Sequence, residues 1–229
     1  RWQSTLLCLN SYTHSEKGSA QYKWVVNDLA SVDRSVTPWI FVFVHGPWYN
    51  SNIKHQDEVA TLDMKEAMED LFHGYQVAAM FAGHVHAYER TKPVYRGKVD
   101  RQCGTMFVTI GDGGNREELY DKWLEPKDDW VAFRNGSRYG RGDLLVMNDT
   151  HTKWGWWPNA ASTPQDETWI INPLGNQRYY NTDSASWELV DDDDACPVFA
   201  EEDALERTTI EFVVVVSMCV GLFCCCFCC

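Results

Sequence analysis

Residues 39–44, Trp-Ile-Phe-Val-Phe-Val, form a continuous apolar run without polar alternation. Such a run is typical of a strand buried on both faces, as in a parallel sheet. From Gln56 to about His73, apolar residues recur at helical spacing, with Asp57 and Glu58 in the predicted first turn. A second apolar run, residues 76–81, predicts another buried strand. The pattern therefore indicates a strand, a helix and a strand in succession.

Histidines follow both of these predicted strands. Because a strand–helix–strand crossover is almost always right-handed, the two strands are expected to be parallel and to end at the same edge of a sheet. His45 comes directly after the first strand, and His84 and His86 follow the second. Neutral imidazole suits zinc and iron. Three histidines at two adjacent strand ends therefore predict a metal site.

Weaker patterns extend this α/β arrangement in both directions. Upstream, they predict a strand at residues 6–9 and a helix at 19–29. Downstream, they predict a strand at 105–110 that leads into a Gly-Asp-Gly-Gly loop, and a hairpin of residues 143–148 and 153–157. The sequence after Ala160 is polar and irregular, and the acidic run 191–194 is interpreted as a solvated linker.

Composition restricts the partners and the compartment. A net charge of −13 over 229 residues argues against nucleic acid as a partner. It does not exclude a phosphate substrate, because bound cations can reverse the local potential. Of nine cysteines, only Cys8, Cys103 and Cys196 lie outside the last eleven residues, too few to predict a disulfide framework. Sequons at Asn135 and Asn148 are compatible with glycosylation in a secretory compartment.

Both ends of the sequence raise expectations of their own. The sequence starts at Arg1 without an initiator Met, so we expect the natural N-terminus to lie upstream. Residues 212–229 carry no charge and approach the minimum length for a membrane span, so a single transmembrane segment is the favoured interpretation. A glycolipid-anchor signal is the alternative, and the topology stays open.

Two motifs resemble those of a known family. The segments Val-His45-Gly-Pro-Trp-Tyr-Asn-Ser and Ala-Gly-His84-Val-His86-Ala-Tyr-Glu-Arg are similar to the fourth and fifth metal-binding motifs of the purple acid phosphatases, a branch of the metallophosphoesterase superfamily. The resemblance covers roughly residues 2–160. It implies a two-sheet sandwich flanked by helices.

The resemblance also implies roles for individual residues. His45 and His84 would bind a divalent metal (Zn, Mn or Fe), and His86 would bind Fe(III). His55 occupies the position of an outer-sphere catalytic histidine that contacts the substrate phosphate or protonates the leaving group. The implied activity is hydrolysis of small phosphate monoesters by a binuclear Fe(III)–M(II) centre.

The chain departs from the family pattern upstream of His45. The family's other ligands, which include aspartates, a tyrosine, an asparagine and a histidine, come from motifs before the fourth one and are absent from the preceding residues. We therefore expect these 229 residues alone to be inactive and the complete protein to be an acid phosphatase. The alternatives are a phosphodiesterase or nucleotide pyrophosphatase of the same superfamily, and a non-catalytic membrane-anchored ectodomain.

The resulting domain prediction has four parts. Residues 1–91 would be the C-terminal part of the catalytic domain, and 92–160 a segment completing the same sandwich. Residues 161–211 would be an acidic linker and 212–229 the membrane segment. The predicted location is the secretory pathway, on an extracellular or vacuolar face, with the oligomeric state undetermined.

The remaining candidate residues are assigned structural roles. His14, His73 and His151 have no partner motif and are interpreted as surface or packing residues. Asp112 is interpreted as a loop residue rather than a ligand. The three residues that follow Ala87 are expected to brace the histidine loop: Tyr88, Glu89 and Arg90.

Overall fold

A computed structural model describes residues 4–172, the backbone of residues 178–181 and 186–189, and Cys196. Two helices and thirteen strands are defined in these residues. The helices are α1 (Ala20–Ser31) and α2 (Val59–Gly74). The strands are β1 (Ser4–Cys8), β2 (Trp39–Val44), β3 (Ala79–Ala82), β4 (Tyr88–Thr91), β5 (Val94–Tyr95), β6 (Lys98–Val99), β7 (Met106–Ile110), β8 (Val131–Asn135), β9 (Gly140–Val146), β10 (His151–Pro158), β11 (Asp166–Ile171), β12 (Arg178–Asn181) and β13 (Ser186–Leu189).

The main sheet has six strands in the order β1-β2-β3-β7-β4-β8. Its first four strands are parallel, and β4 runs antiparallel to both β7 and β8. The predicted parallel pairing of β2 and β3 around α2 is confirmed, with Val44 opposite Ala82 in the register. Both strands therefore end at the same level, which places the residues that follow them side by side.

Strand β2 is buried on both faces, which explains its lack of polar alternation. Ile40 and Val42 belong to a hydrophobic cluster that includes residues of α1 and α2. Trp39 and Phe41 face the opposite way, into a cluster that includes Trp154 of β10. The molecule is thus layered as helices, a mixed sheet and a second sheet.

The second sheet consists of β11, β10 and β9 in that order, all antiparallel. The predicted hairpin corresponds to β9 and β10. Strand β11 and the antiparallel pair β12 and β13 lie within residues 161–211, which were predicted to be an irregular linker, so that prediction is wrong for these three strands. Three residues of β11 face inward: Asp166, Thr168 and Ile170. Because Asp166 and Thr168 are polar, the sequence does not show the alternation of apolar and polar residues that predicts a strand.

Cys103 and Cys196 form a disulfide bond, which the cysteine count did not predict. The bond links the loop between β6 and β7 to the C-terminal acidic region. In the described part of the chain, no helix has the length and apolar character needed to cross a membrane. The predicted span, residues 212–229, and the acidic run 191–194 lie outside the described residues.

Candidate metal centre

His45 and His84 meet at the carboxyl edge of the main sheet. His45 Nε2 lies 2.9 Å from His84 Nδ1, and their ring centroids are 4.6 Å apart. The loops behind them are also joined, because the Gly83 N–H donates to the His45 carbonyl at 3.1 Å. The predicted convergence of these two histidines is therefore observed.

The backbone of the second histidine loop is tightly wound. His84 has a φ of +62°, a left-handed conformation that is uncommon for residues other than glycine. The Val85 N–H donates to Gly83 and the Ala87 N–H donates to Val85, both at 2.7 Å. These successive tight turns direct the side chains of His84 and His86 to the same edge of the sheet.

The hydrogen bonds of His86 determine which of its two ring nitrogens carries the proton. Its Nδ1 lies 3.1 Å from the Glu118 carbonyl, which can only accept, so Nδ1 carries the proton. Its Nε2 accepts from Asn115 Nδ2 at 2.7 Å. The amide orientation is fixed because Asn115 Oδ1 accepts from the Glu117 N–H. Nε2 is therefore the ring nitrogen with the lone pair, and a ligand that bound this atom would replace the contact with Asn115.

Asn115 reaches His86 because two loops pass very close together. Asn115 ends the Gly-Asp-Gly-Gly-Asn loop that follows β7. At the start of that loop, a Cβ on Gly111 would overlap the Val85 carbonyl of the histidine loop. Glycine is therefore required at this crossing.

A carboxylate that sequence reasoning missed completes the cluster. Glu58 Oε1 lies 2.7 Å from His84 Nε2 and 2.5 Å from His55 Nδ1. The pattern had placed Glu58 in the first turn of a helix, but α2 begins at Val59 and the Glu58 side chain turns toward the histidines. The spacing His-x-x-Glu at a helix start was the available signal.

His55, the predicted outer-sphere histidine, is part of this cluster. Its ring centroid lies 4.0 Å from that of His84, and its φ is +59°. The ring is also 5.9 Å from the ring of Tyr120, which stacks on His86 at 4.4 Å. The structure thus brings His55 into the same site, whereas its catalytic role stays a prediction.

The donor set fits a bound metal ion. Two imidazole nitrogens that share one ion at about 2.0–2.1 Å lie about 3 Å apart when the angle between them is near 90°. His45 Nε2 and His84 Nδ1 have this spacing. Burial lowers the pKa of His45, and the neighbouring His84 lowers it further. Burial likewise lowers the pKa of His86. These shifts favour the neutral rings that ligate metals.

The three predicted ligands also share one cavity of about 580 Å³. It lies beside the ends of β2 and β3, and its wall includes His45, His84 and His86. Asn115 and Arg141 contribute polar groups to the same wall, which is otherwise mainly apolar. The histidines therefore face a common space that is large enough for a small ligand.

Ser11 holds the loop that begins at His45 through hydrogen bonds to its backbone. Its buried Oγ accepts from the backbone N–H groups of His45 and Gly46 at 3.0 and 2.9 Å. The sequence pattern gives no indication of a role for Ser11. The structure gives it a positioning role.

Glu89 braces the histidine loops as expected, whereas Tyr88 and Arg90 bond to the second sheet instead. Glu89 accepts from the Ser51 N–H at 2.9 Å and from the Ser51 hydroxyl, and burial raises the pKa of Glu89 to about 7. Tyr88 donates to Asp166 at 2.6 Å, and Arg90 donates to both oxygens of the same carboxylate at 2.6 and 2.7 Å. The first contact joins the two histidine motifs, and the second joins the two sheets.

The other sequence candidates lie elsewhere. Asp112 is buried and accepts from Trp156 Nε1 at 2.7 Å, and burial raises its pKa to about 6. His14 is exposed beside Glu16. His73 approaches Asp100 and Cys103, but the sulfur of Cys103 is bonded to Cys196 and cannot ligate.

The chain matches two family models, which together define its class. Residues 3–88 match the model "Calcineurin-like phosphoesterase", and residues 104–167 match "Iron/zinc purple acid phosphatase-like protein C". The histidine-bearing strand ends lie within the first match. The described domain is therefore of the metallophosphoesterase class.

Curated relatives narrow this class. Over 173 residues, the chain is 45% identical to "Probable purple acid phosphatase 20" of Arabidopsis thaliana, covering 75% of this chain and 40% of the relative. It is 47% identical over 172 residues to "Purple acid phosphatase 18" of the same plant, covering 74% and 38%. The chain belongs to the purple acid phosphatase family, and it spans about two fifths of the length of these relatives.

Solved structures support the fold. The structure of purple acid phosphatase PPD1 from yellow lupin (Lupinus luteus) seeds aligns with a TM-score of 0.66 at 23% identity, covering 75% of this chain and 32% of that one. GAP50, described as the anchor in the inner membrane complex of Plasmodium, aligns with a TM-score of 0.52 at 14% identity, covering 73% and 49%. At these identities the likeness concerns the fold alone.

Proposed function

We propose that this protein is a metal-dependent acid phosphatase that hydrolyses small phosphate monoesters. The observation that carries the proposal is the pairing of His45 Nε2 with His84 Nδ1 at 2.9 Å, on a fold of the metallophosphoesterase class. A relative that is 32% identical over 199 residues, covering 82% of this chain and 41% of the relative, is named "Fe(3+)-Zn(2+) purple acid phosphatase 12". We therefore propose Fe(III) and a divalent ion as cofactors.

The residues of this chain would divide the work. His45 and His84 would hold the divalent ion, and His86 would hold Fe(III) through the Nε2 that faces Asn115. Two such ions neutralise phosphate oxygens and lower the pKa of bound water. His55, beside His84, would hydrogen-bond the phosphate or give its proton to the leaving oxygen.

The experiment is to express the protein from its complete gene and measure hydrolysis of p-nitrophenyl phosphate at acidic pH. His84→Ala should lower kcat by at least about 100-fold, because it removes a metal ligand. The matched control is His14→Ala, since the His14 side chain is 88% exposed and lies outside the cluster. Full activity of His84→Ala, or no phosphatase activity in the unsubstituted protein, would contradict the proposal.

We also propose that the protein works in the secretory pathway. The Cys103–Cys196 disulfide supports this, because disulfides persist in oxidising compartments. The sequon residue Asn148 lies in the turn between β9 and β10, a position compatible with a glycan. Mass spectrometry of the natural protein checks this: we expect a disulfide-linked peptide pair, and free thiols at both cysteines would contradict the proposal. A membrane anchor at residues 212–229 stays a prediction.

A further inference from the structure

We propose that Glu58 is a positioning residue of the metal site, and that its single oxygen Oε1 sets the orientation and tautomer of both His84 and His55. The inference rests on the proposed metal-binding role of His84. It concerns a residue outside the two histidine motifs. Its starting point is that one carboxylate oxygen lies within hydrogen-bond distance of two different imidazole rings.

These contacts are hydrogen bonds rather than the edges of a metal polyhedron. The nitrogen–oxygen distances are 2.7 Å to His84 and 2.5 Å to His55. Ligands that share an ion at about 2.0–2.2 Å lie about 3 Å or more apart, whereas charge-assisted N–H···O bonds are shorter. A carboxylate oxygen has lone pairs for two hydrogen bonds, so Oε1 can accept one from each ring. An ionised carboxylate only accepts, so both rings must donate.

The direction of donation determines what each ring presents. When His84 donates from Nε2, the lone pair of the neutral ring is on Nδ1, the atom that faces His45 Nε2. Two ligand atoms then converge on one point. When His55 donates from Nδ1, its Nε2 is the nitrogen available to the substrate side. Carboxylates that hold the second nitrogen of a ligating histidine fix its orientation and raise its basicity.

Glu58 is free to do this because the helix does not use its side chain. It is the N-cap residue of α2, yet its carboxylate makes no capping hydrogen bond. The segment before the helix contains His55 at a φ of +59°, and this conformation brings the His55 ring to Glu58 Oε1, the oxygen that also contacts His84. Removing the carboxylate therefore leaves the capping bonds of the helix unchanged.

The test uses nitrogen-detected NMR of histidine rings in the metal-free 229-residue chain, followed by zinc titration calorimetry. The variants are Glu58→Ala, the conservative Glu58→Gln, and the control Asp57→Ala, which removes an exposed carboxylate one residue earlier. In the unsubstituted chain we expect an Nε2–H tautomer at His84 and an Nδ1–H tautomer at His55. Glu58→Ala should abolish both preferences and weaken zinc binding by about 10–100-fold.

The variants separate the possible outcomes. Glu58→Gln keeps an acceptor oxygen and should retain part of both effects, and Asp57→Ala should match the unsubstituted chain. Unchanged tautomers and zinc affinity in Glu58→Ala would overturn the proposal. Equal loss of zinc binding in both Glu58 variants with unchanged tautomers would also overturn it, because Glu58 would then be a direct ligand. Glu58-dependent tautomers without any zinc binding would support the orientation of both rings by Glu58 and contradict metal binding by His45 and His84 in this chain.

Discussion

Two residues at this site adopt a backbone conformation that is uncommon for residues other than glycine. His84 and His55 both have left-handed backbones, and both rings contact the same carboxylate of Glu58. Such conformations cost on the order of 1–3 kcal/mol each and persist where the surroundings enforce them. Here the enforcing contacts are the tight turns around Val85 and the shared Glu58 oxygen. Backbone strain of this kind is thus present at both His84 and His55, two residues proposed to act in the chemistry.

Glu89 gives a pH-dependent prediction at this scale. Burial raises its pKa from 4.5 to about 7, so between these values the folded chain binds a proton that the unfolded chain has lost. Its contribution to stability is therefore full below about pH 4.5 and is lost as the pH rises through about 7, a change on the order of 3 kcal/mol.

Urea unfolding at pH 5 and pH 7.5 checks this. The drop in unfolding free energy between the two pH values should be smaller in Glu89→Gln, which cannot ionise yet can still bond to Ser51. An equal drop in the variant and the unsubstituted chain would contradict the raised pKa.

The sequence predicts which residues reach the site where their position follows from the ends of strands. It does not do so where a residue reaches the site only through the orientation of its side chain. His45 and His84 could be placed together because parallel strands end at one edge. Glu58 and Ser11 could not, because each reaches the site through one side-chain rotamer that no periodicity encodes. Asn115 depends on the crossing of two loops at Gly111, which is a tertiary contact.

Among the elements, β4 and β11 are joined by a buried ion pair that fastens the second sheet to the first. The side chains of Arg90 and Asp166 are only 9% and 6% exposed, and Tyr88 donates to the same carboxylate. Such a pair stabilises weakly as a whole, but removing one partner leaves an uncompensated buried charge.

Asp166→Ala should therefore lower the unfolding free energy by about 3–5 kcal/mol. The matched control is Asp70→Ala, because Asp70 pairs with Arg96 at the surface, where the side chains are 40% and 65% exposed. That change should cost less than about 1 kcal/mol. Urea unfolding of both variants measures the difference, and similar losses in the two would show that the buried pair does not fasten the sheets.

The Arg90–Asp166 pair also helps to explain why the sequence predicts some elements and not β11. Strands β2 and β3 and helix α2 were predictable, since their apolar periodicity reflects burial between layers. Strand β11 was missed because two of its inward residues are polar, and its partner Arg90 lies 76 residues earlier in the chain. Pairing between such distant residues leaves no local pattern.

For the whole molecule, the layered fold collects ligands from distant segments at one sheet edge. The helices and the second sheet bury the two faces of the main sheet, so a cluster of polar side chains that is open to a ligand can form where its strands end. Loops after β2, β3 and β7 meet there and supply His45, His84, His86 and Asn115. Because both faces of the main sheet are covered, this edge is where the proposed metal centre can form.

The most direct test of this account is a crystal structure of the chain soaked with zinc, with anomalous diffraction recorded at the zinc edge. We predict an anomalous peak between His45 Nε2 and His84 Nδ1, about 2.0–2.1 Å from each nitrogen. The peak should disappear in crystals of His84→Ala. Zinc bound only elsewhere, for example at His73 and Asp100, with none between His45 and His84, would contradict the central claim.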